Sequence, residues 1–296
     1  MPIIIGLLIY YIPRHVMTNN LYPTKIIDGK KIAASLLRQL AHEISARQIQ
    51  PGLAVIQVGD DPASTIYVRN KRACCAQIGM HSFAVDLPEN TTESTLIKHI
   101  HALNTNPKVH GIIIQLPLPS HINTQKVCDH IHPQKDVDIL TASNLGKVLC
   151  AHPDRTLPCT PKGIIHLLSH IDYTLKGKHA VIIGASAIIG KPLALELCHL
   201  GATVTLCHQH TKDLAHHVQQ AELLITAIGK TNVIQSEWLR RDSIIMDIGI
   251  NRAGSRITGD IDFHTAIVQV HKITPVPGGV GPMTIAMLME NTLHAY

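Results

Sequence analysis

The chain has 296 residues, 45% of them hydrophobic, with 26 Lys and Arg against 21 Asp and Glu for a net charge of +5. That length supports two domains of ordinary size. The basic residues are spread out without interleaved aromatics, which excludes a nucleic-acid-binding stripe, while a mild positive bias suits small polyanions such as a phosphorylated cofactor or a polycarboxylate substrate.

The apolar stretch at 3–12 is too short to span a bilayer, has no basic residue before it and no small-residue cleavage site after it. We expect no membrane association and a translation start at Met17. Hydrophobic periodicity then predicts a helix over 30–47, a strand over 53–58, a helix over 64–78 and a strand over 81–87. A helix over 92–103, a strand over 109–115 and a helix over 124–131 follow. Such alternation implies a parallel sheet covered by helices on both faces. The stretch from 150 to 161 carries three prolines in twelve residues, and the domain junction is expected there. Strands over 180–183, 203–207, 223–227 and 244–247, with helical segments between the earlier ones, make a second doubly wound domain. The loop Pro275-Val276-Pro277-Gly278-Gly279-Val280-Gly281-Pro282 is rigid and bare of side chains, so a flat ligand can lie against it. A helix from 283 follows and is expected to return to the first domain, giving domains of 17–150 plus 283–296 and of 151–282.

The strand ending at Ile183 runs into Gly184-Ala185-Ser186-Ala187-Ile188-Ile189-Gly190. Backbone N–H groups at the start of the next helix attract phosphate there, and glycine admits a pyrophosphate. The spacing is G-x-S-x-x-x-G and not G-x-G-x-x-G, so a purely structural strand-to-helix turn stays open. Beyond the strand over 203–207 stand Cys207-His208-Gln209-His210-Thr211-Lys212, with no acid for a ribose 2′-hydroxyl. This favours a 2′-phosphate and NADP, although Asp213 lies close by.

In the first domain Tyr67 and Lys71, four residues apart, share a helix face. For that lysine to act as a base near neutral pH its pKa must fall by roughly three units, about 4 kcal/mol. Gln115 stands at the carboxyl end of a parallel strand, the ligand-binding edge of such sheets. Lys135-Asp136-Val137-Asp138 puts carboxylates beside a turn, which solvent alone also explains. Close histidine pairs such as His208/His210 suggest metal, but no H-E-x-x-H or matching cysteine spacing accompanies them, so no metal is expected. Seven cysteines without a C-x-x-C pair point to a reduced, cytoplasmic protein.

From about Ile26 onward the ordered segments resemble the bifunctional methylenetetrahydrofolate dehydrogenase/cyclohydrolase family. They include Val58 to Ser64, Tyr67 to Lys71, Gln115 to Pro119, Lys135 to Asp138, Cys159 to Gly163, Asp247 to Asn251 and Pro275 to Thr284. The resemblance implies a homodimeric α/β protein of one-carbon metabolism with two doubly wound domains, the second Rossmann-like, and a C-terminal helix returning to the first. Tetrahydrofolate derivatives and NADP would meet in the interdomain cleft. Lys71 would be the catalytic lysine, held by Gln115, with Tyr67 and Asp138 at the pterin and Pro277, Gly278 and Gly279 lining the folate pocket. Gly184, Ala185, Ser186 and Ile250 would contact NADP, with Gly190 closing the turn. Oxidation of 5,10-methylenetetrahydrofolate would be followed by hydrolysis to 10-formyltetrahydrofolate. No G-x-x-x-x-G-K-[ST] loop offers a formate ligase site.

Three positions depart from the family pattern. Ile139 replaces a glycine, and because a β-branched residue resists φ > 0, an altered Asp138 turn and weakened folate binding are expected. Ala187 replaces an asparagine, and Gln209 a serine near the 2′-phosphate. Ile139 and Gln209 motivate an alternative, a degenerate non-catalytic folate or nucleotide binder, against which Tyr67, Lys71, Gln115 and Asp138 speak. Another two-domain dehydrogenase, acting for example on amino acids, is the remaining alternative.

Overall fold

The computed structural model describes residues 22–231, 233–253 and 256–296, so the apolar stretch at 3–12 and the expected start at Met17 lie outside it. The first half runs α1 (Gly29–Arg47), β1 (Gly52–Val58), α2 (Pro62–Ile78), β2 (His81–Leu87), α3 (Glu93–Thr105), β3 (Gly111–Ile114) and α4 (Thr124–Cys128). Its sheet is parallel with order β2-β1-β3. Every residue of β1 is buried. Ala54, Ile56 and Val58 point to the α3 side with Leu96 and Ile100, while Leu53 and Val55 point the other way, so helices cover both faces as the alternation implied.

Local chemistry fixes the helix starts. The Asp28 carboxylate accepts the Lys31 N–H at 2.9 Å to cap α1, whose Ile32, Leu36, Leu40 and Ile44 form the buried stripe. Asp61 caps α2 by accepting the Ser64 N–H at 2.8 Å, with Pro62 in the first turn, so the helix begins two residues before the expected 64.

After α5 (Ala142–Leu149) and α6 (Cys159–His170) come β4 (His179–Ile183), α7 (Gly190–His199), β5 (Thr203–Cys207), α8 (Leu214–Gln219), β6 (Leu223–Thr226) and β7 (Ile244–Asp247). A hairpin of β8 (Asn251–Ala253) and β9 (Arg256–Thr258), then α9 (Phe263–Gln269), β10 (Lys272–Ile273) and α10 (Val280–His294) complete the chain. The second sheet is parallel with order β10-β7-β6-β4-β5. Ile26 pairs with Ile273, so the segment before α1 lies along its β10 edge.

Two elements differ instructively from expectation. The proline-rich stretch contains the start of α6, because Pro158 is its N-cap and Pro161 lies in its first turn, where a missing N–H costs no helical bond. By the same reasoning α10 begins at Val280 and not at 283, with Pro282 in its first turn. Met283, Ala286, Met287, Leu288 and Met289 are all buried, so α10 buries most of its circumference and packs against both α1 and α6. One core therefore runs from Leu53 and Val55 through Met283 and Met287 to Leu167, Ile182 and Ile225, joining the two sheets.

Candidate active site

A cleft of about 190 Å³ is lined from both halves of the chain. Lys71 enters it from α2, Gln115 from the end of β3, Asp138 from the segment between α4 and α5, Cys159 from α6, Ile188 and Ile189 from the turn after β4, and Thr284 and Leu288 from α10. The Lys71 Nζ donates to Gln115 Oε1 at 3.0 Å. Gln115 is itself pinned, since its Nε2 donates to the Leu116 carbonyl at 2.8 Å and its backbone N–H to the Ile56 carbonyl at 2.8 Å. Its side-chain oxygen is thereby turned to the amine.

In the turn carrying Asp138, Ile139 itself adopts the left-handed conformation, with φ 59, at 2% exposure. A β-branched residue there costs on the order of 1–3 kcal/mol. Cys159, which sequence reading left without a role, is no nucleophile. Burial, followed by the adjacent Asp138 carboxylate, pushes its thiol well above the ordinary value and keeps it neutral. Tyr67 lies one turn before Lys71 on α2, half-buried, and is not among the residues lining the cleft. Burial raises its phenol while the Arg252 guanidinium pulls the other way, so it stays protonated and able to donate.

Pro277, Gly278 and Gly279 do not line the cleft either. Gly278, at φ 108, accepts the Lys30 N–H at 2.8 Å through its carbonyl, so the loop braces the start of α1 and sets α10. Thr284 of α10 is linked to Thr160 of α6 by a 3.0 Å hydroxyl contact.

The glycine turn after β4 is closed tightly on its own backbone. Gly184 has φ 125, and a Cβ at Gly190 would overlap the Gly184 carbonyl oxygen. Ser186 Oγ accepts the Ile189 and Gly190 N–H groups at 3.2 and 3.4 Å. Ala185 is half-buried beside it and Ile250, 48% exposed, precedes β8. The carboxylate of Asp213 accepts the His216 N–H at 3.4 Å, capping α8. Among the described residues no group of His, Cys, Asp or Glu is arranged to hold a metal ion.

A second brace was invisible in the sequence. Asp260, 1% exposed, accepts the backbone N–H groups of Ile228, Gly229 and Lys230 at 2.7, 3.3 and 3.1 Å and the Asn251 amide at 2.9 Å. Asp247 lies behind it and accepts the Asp260 and Ile261 N–H groups, each at 3.0 Å. The loop after β6 is thus ordered by one carboxylate, which only the paired D-I-G and G-D-I segments hint at. Burial pushes Asp247 up from 3.8 to about 6 against the pull of these donors. The folded state therefore holds a proton that the unfolded chain releases between those values. The stability this supplies is complete below 3.8 and is lost as pH rises through about 6. Urea midpoints of the wild type relative to Asp247→Asn are expected to fall across that window; a constant difference contradicts the assignment.

Residues 158–296 match the tetrahydrofolate dehydrogenase/cyclohydrolase NAD(P)-binding domain, and residues 27–138 match the tetrahydrofolate dehydrogenase/cyclohydrolase catalytic domain. A bifunctional protein FolD of Legionella pneumophila strain Paris is 49% identical over 276 residues, covering 92% of this chain and 97% of its own. The crystal structure of the bifunctional FolD methylenetetrahydrofolate dehydrogenase/cyclohydrolase of Campylobacter jejuni superposes with a TM-score of 0.89 at 44% identity, over 91% of this chain and 97% of that one. The Trypanosoma brucei enzyme, solved with NADP and an inhibitor, gives 0.88 at 33% identity, over 91% and 96%. With both domains matched in order and the amine, amide and carboxylate gathered in one cleft, the chain belongs to the tetrahydrofolate dehydrogenase/cyclohydrolase family.

Proposed function

We propose that the chain oxidises 5,10-methylenetetrahydrofolate to 5,10-methenyltetrahydrofolate with NADP and hydrolyses that product to 10-formyltetrahydrofolate. The observation that carries this reading is the 3.0 Å bond from Lys71 to Gln115, set in a cleft that Asp138 and the glycine-turn residues Ile188 and Ile189 also line.

The residues present fit NADP. The Gly184 to Gly190 turn leads β4 directly into the N-terminus of α7, the place where a helix favours a pyrophosphate, and the segment after β5 offers His208, His210 and Lys212 while Asp213 is engaged as a cap. Gly184, Ala185, Ser186, Gly190 and Ile250 hold the cofactor in this reading. When bound, it supplies the hydride acceptor.

During oxidation the chain's task is alignment, with Asp138 and Tyr67 hydrogen-bonding the pterin and Ile188 and Ile189 walling the cleft against water. Hydrolysis needs a proton carrier. Water bonds to the methenyl carbon, the bond from that carbon to N5 breaks, and the water oxygen loses both protons as it becomes the formyl carbonyl: Lys71 carries one to N5 while Gln115 holds the amine in line, and the other leaves to solvent. Pro277, Gly278 and Gly279 support the folate side through α1 and α10.

We assign folate chemistry to 17–150 together with the C-terminal helix and cofactor binding to 151–282, and we assign the protein to the cytoplasm as a homodimer. The seven unpaired cysteines support a reducing compartment. Among the described residues no helix is long and apolar enough to cross a membrane. The test is to mix the purified protein with 5,10-methylenetetrahydrofolate and NADP or NAD while following reduced cofactor and methenyl absorbance. NADP reduction followed by methenyl decay is expected, and absence of both defeats the reading.

A further inference from the structure

Ile139 is a buried β-branched residue held at φ 59 beside a carboxylate that lines the cleft, so something must force that turn. The clamp is visible on both sides of it. Asp136, 3% exposed, accepts the Leu140 N–H at 3.0 Å, the Thr141 N–H at 2.9 Å, the Thr141 hydroxyl at 2.8 Å and the Asn144 amide at 3.0 Å. One carboxylate thereby ties position 136 to positions 140 and 141, and Asp138 and Ile139 are the two residues at the crest of the loop it closes. From the other side Asn291 of α10 donates to the Val137 carbonyl at 2.9 Å. The strand side is anchored too, since the Ile112 N–H donates to the Lys135 carbonyl at 2.7 Å.

We infer that Asp136 is the positioning residue of the folate site, holding Asp138 in the cleft by imposing a left-handed turn that Ile139 resists. This deepens the proposed function and rests on its assignment of Asp138 to the pterin. Asp136 does not line the cleft: it acts on Asp138 through the residues it ties together, Leu140, Thr141 and Asn144. A glycine at 139 adopts φ > 0 without resistance, so the clamp and the side chain at 139 are energetically opposed and their substitutions must be coupled.

The experiment compares the full-length protein with Asp136→Asn, Ile139→Gly, the double variant and Asp138→Ala, reading KM for 5,10-methylenetetrahydrofolate and for NADP separately. Asp136→Asn is expected to raise the folate KM about tenfold as the turn relaxes, with the NADP KM within about twofold. Adding Ile139→Gly should restore most of that loss. A merely structural role predicts no selective recovery of the folate KM in the double variant, because removing the buried Ile139 side chain and loosening the unfolded chain only lower stability further. An unchanged folate KM in Asp136→Asn, equal movement of both KM values, or no recovery in the double variant overturns the inference. Should Asp136→Asn not fold, Asn144→Ala, which removes one donor to the same carboxylate, must give the same pattern at smaller size. If Asp138→Ala leaves the folate KM unmoved, the role given to Asp138 fails and the positioning falls with it. If Asp138→Ala raises it and Asp136→Asn does not, only the positioning fails.

Discussion

Lys71→Met is expected to slow methenyl hydrolysis by roughly 10² to 10⁴, the usual contribution of a positioned acid or base, while both ligands still bind. Methionine fills nearly the same volume with no proton to move, and among the described residues the lysine side chain hydrogen-bonds Gln115 alone. The amide keeps its bond to the Leu116 carbonyl after the change, so the cleft loses an amine and little shape. Hydride transfer asks only for alignment, and its rate should fall far less than that of hydrolysis. Following methenyl absorbance after one round of NADP reduction separates the two steps. Hydrolysis at the wild-type rate would remove Lys71 from the mechanism.

The strands were legible because buried parallel strands read as short apolar runs bounded by glycine or polar residues: the expected bounds of 81–87, 203–207 and 244–247 coincide with β2, β5 and β7. The Lys71–Gln115 pair was legible in its parts, since one residue's helix face and the other's strand end both follow from local periodicity. What escaped was decided by contacts between distant residues. The α6 start hid among prolines that punctuate a linker as readily as a helix, and β10 is two residues long, below any periodic signal. Ile139 was expected to distort its turn because propensity speaks only of its own side chain, whereas the hydrogen bonds of Asp136 fix the backbone around it. Asp260 orders a loop some thirty residues upstream in the chain, a pairing that the handful of residues around it cannot express.

Gly29→Ala is expected to destabilise the protein by about 3 kcal/mol or more, near the upper end for overpacking a rigid site. The added methyl would overlap the Gly279 carbonyl, a backbone atom that no rotamer change can move aside. Gly279 is itself closely surrounded, since a Cβ built on it would run into the Pro275 carbonyl and the Thr274 side chain. The start of α1 would have to lift from the loop, breaking the bond from the Lys30 N–H to the Gly278 carbonyl and shifting α10 with its cleft residues Thr284 and Leu288. A weaker folate affinity should therefore accompany the lost stability. Gly146→Ala is the matched control: that glycine lies within α5 with nothing within 4 Å of an added Cβ. Helix propensity alone predicts a gain of roughly 0.5–1 kcal/mol there. Urea denaturation of the two variants should give midpoints displaced in opposite directions from the wild type. Equal midpoints would mean that the first helix and the glycine-proline loop do not touch as closely as this packing requires.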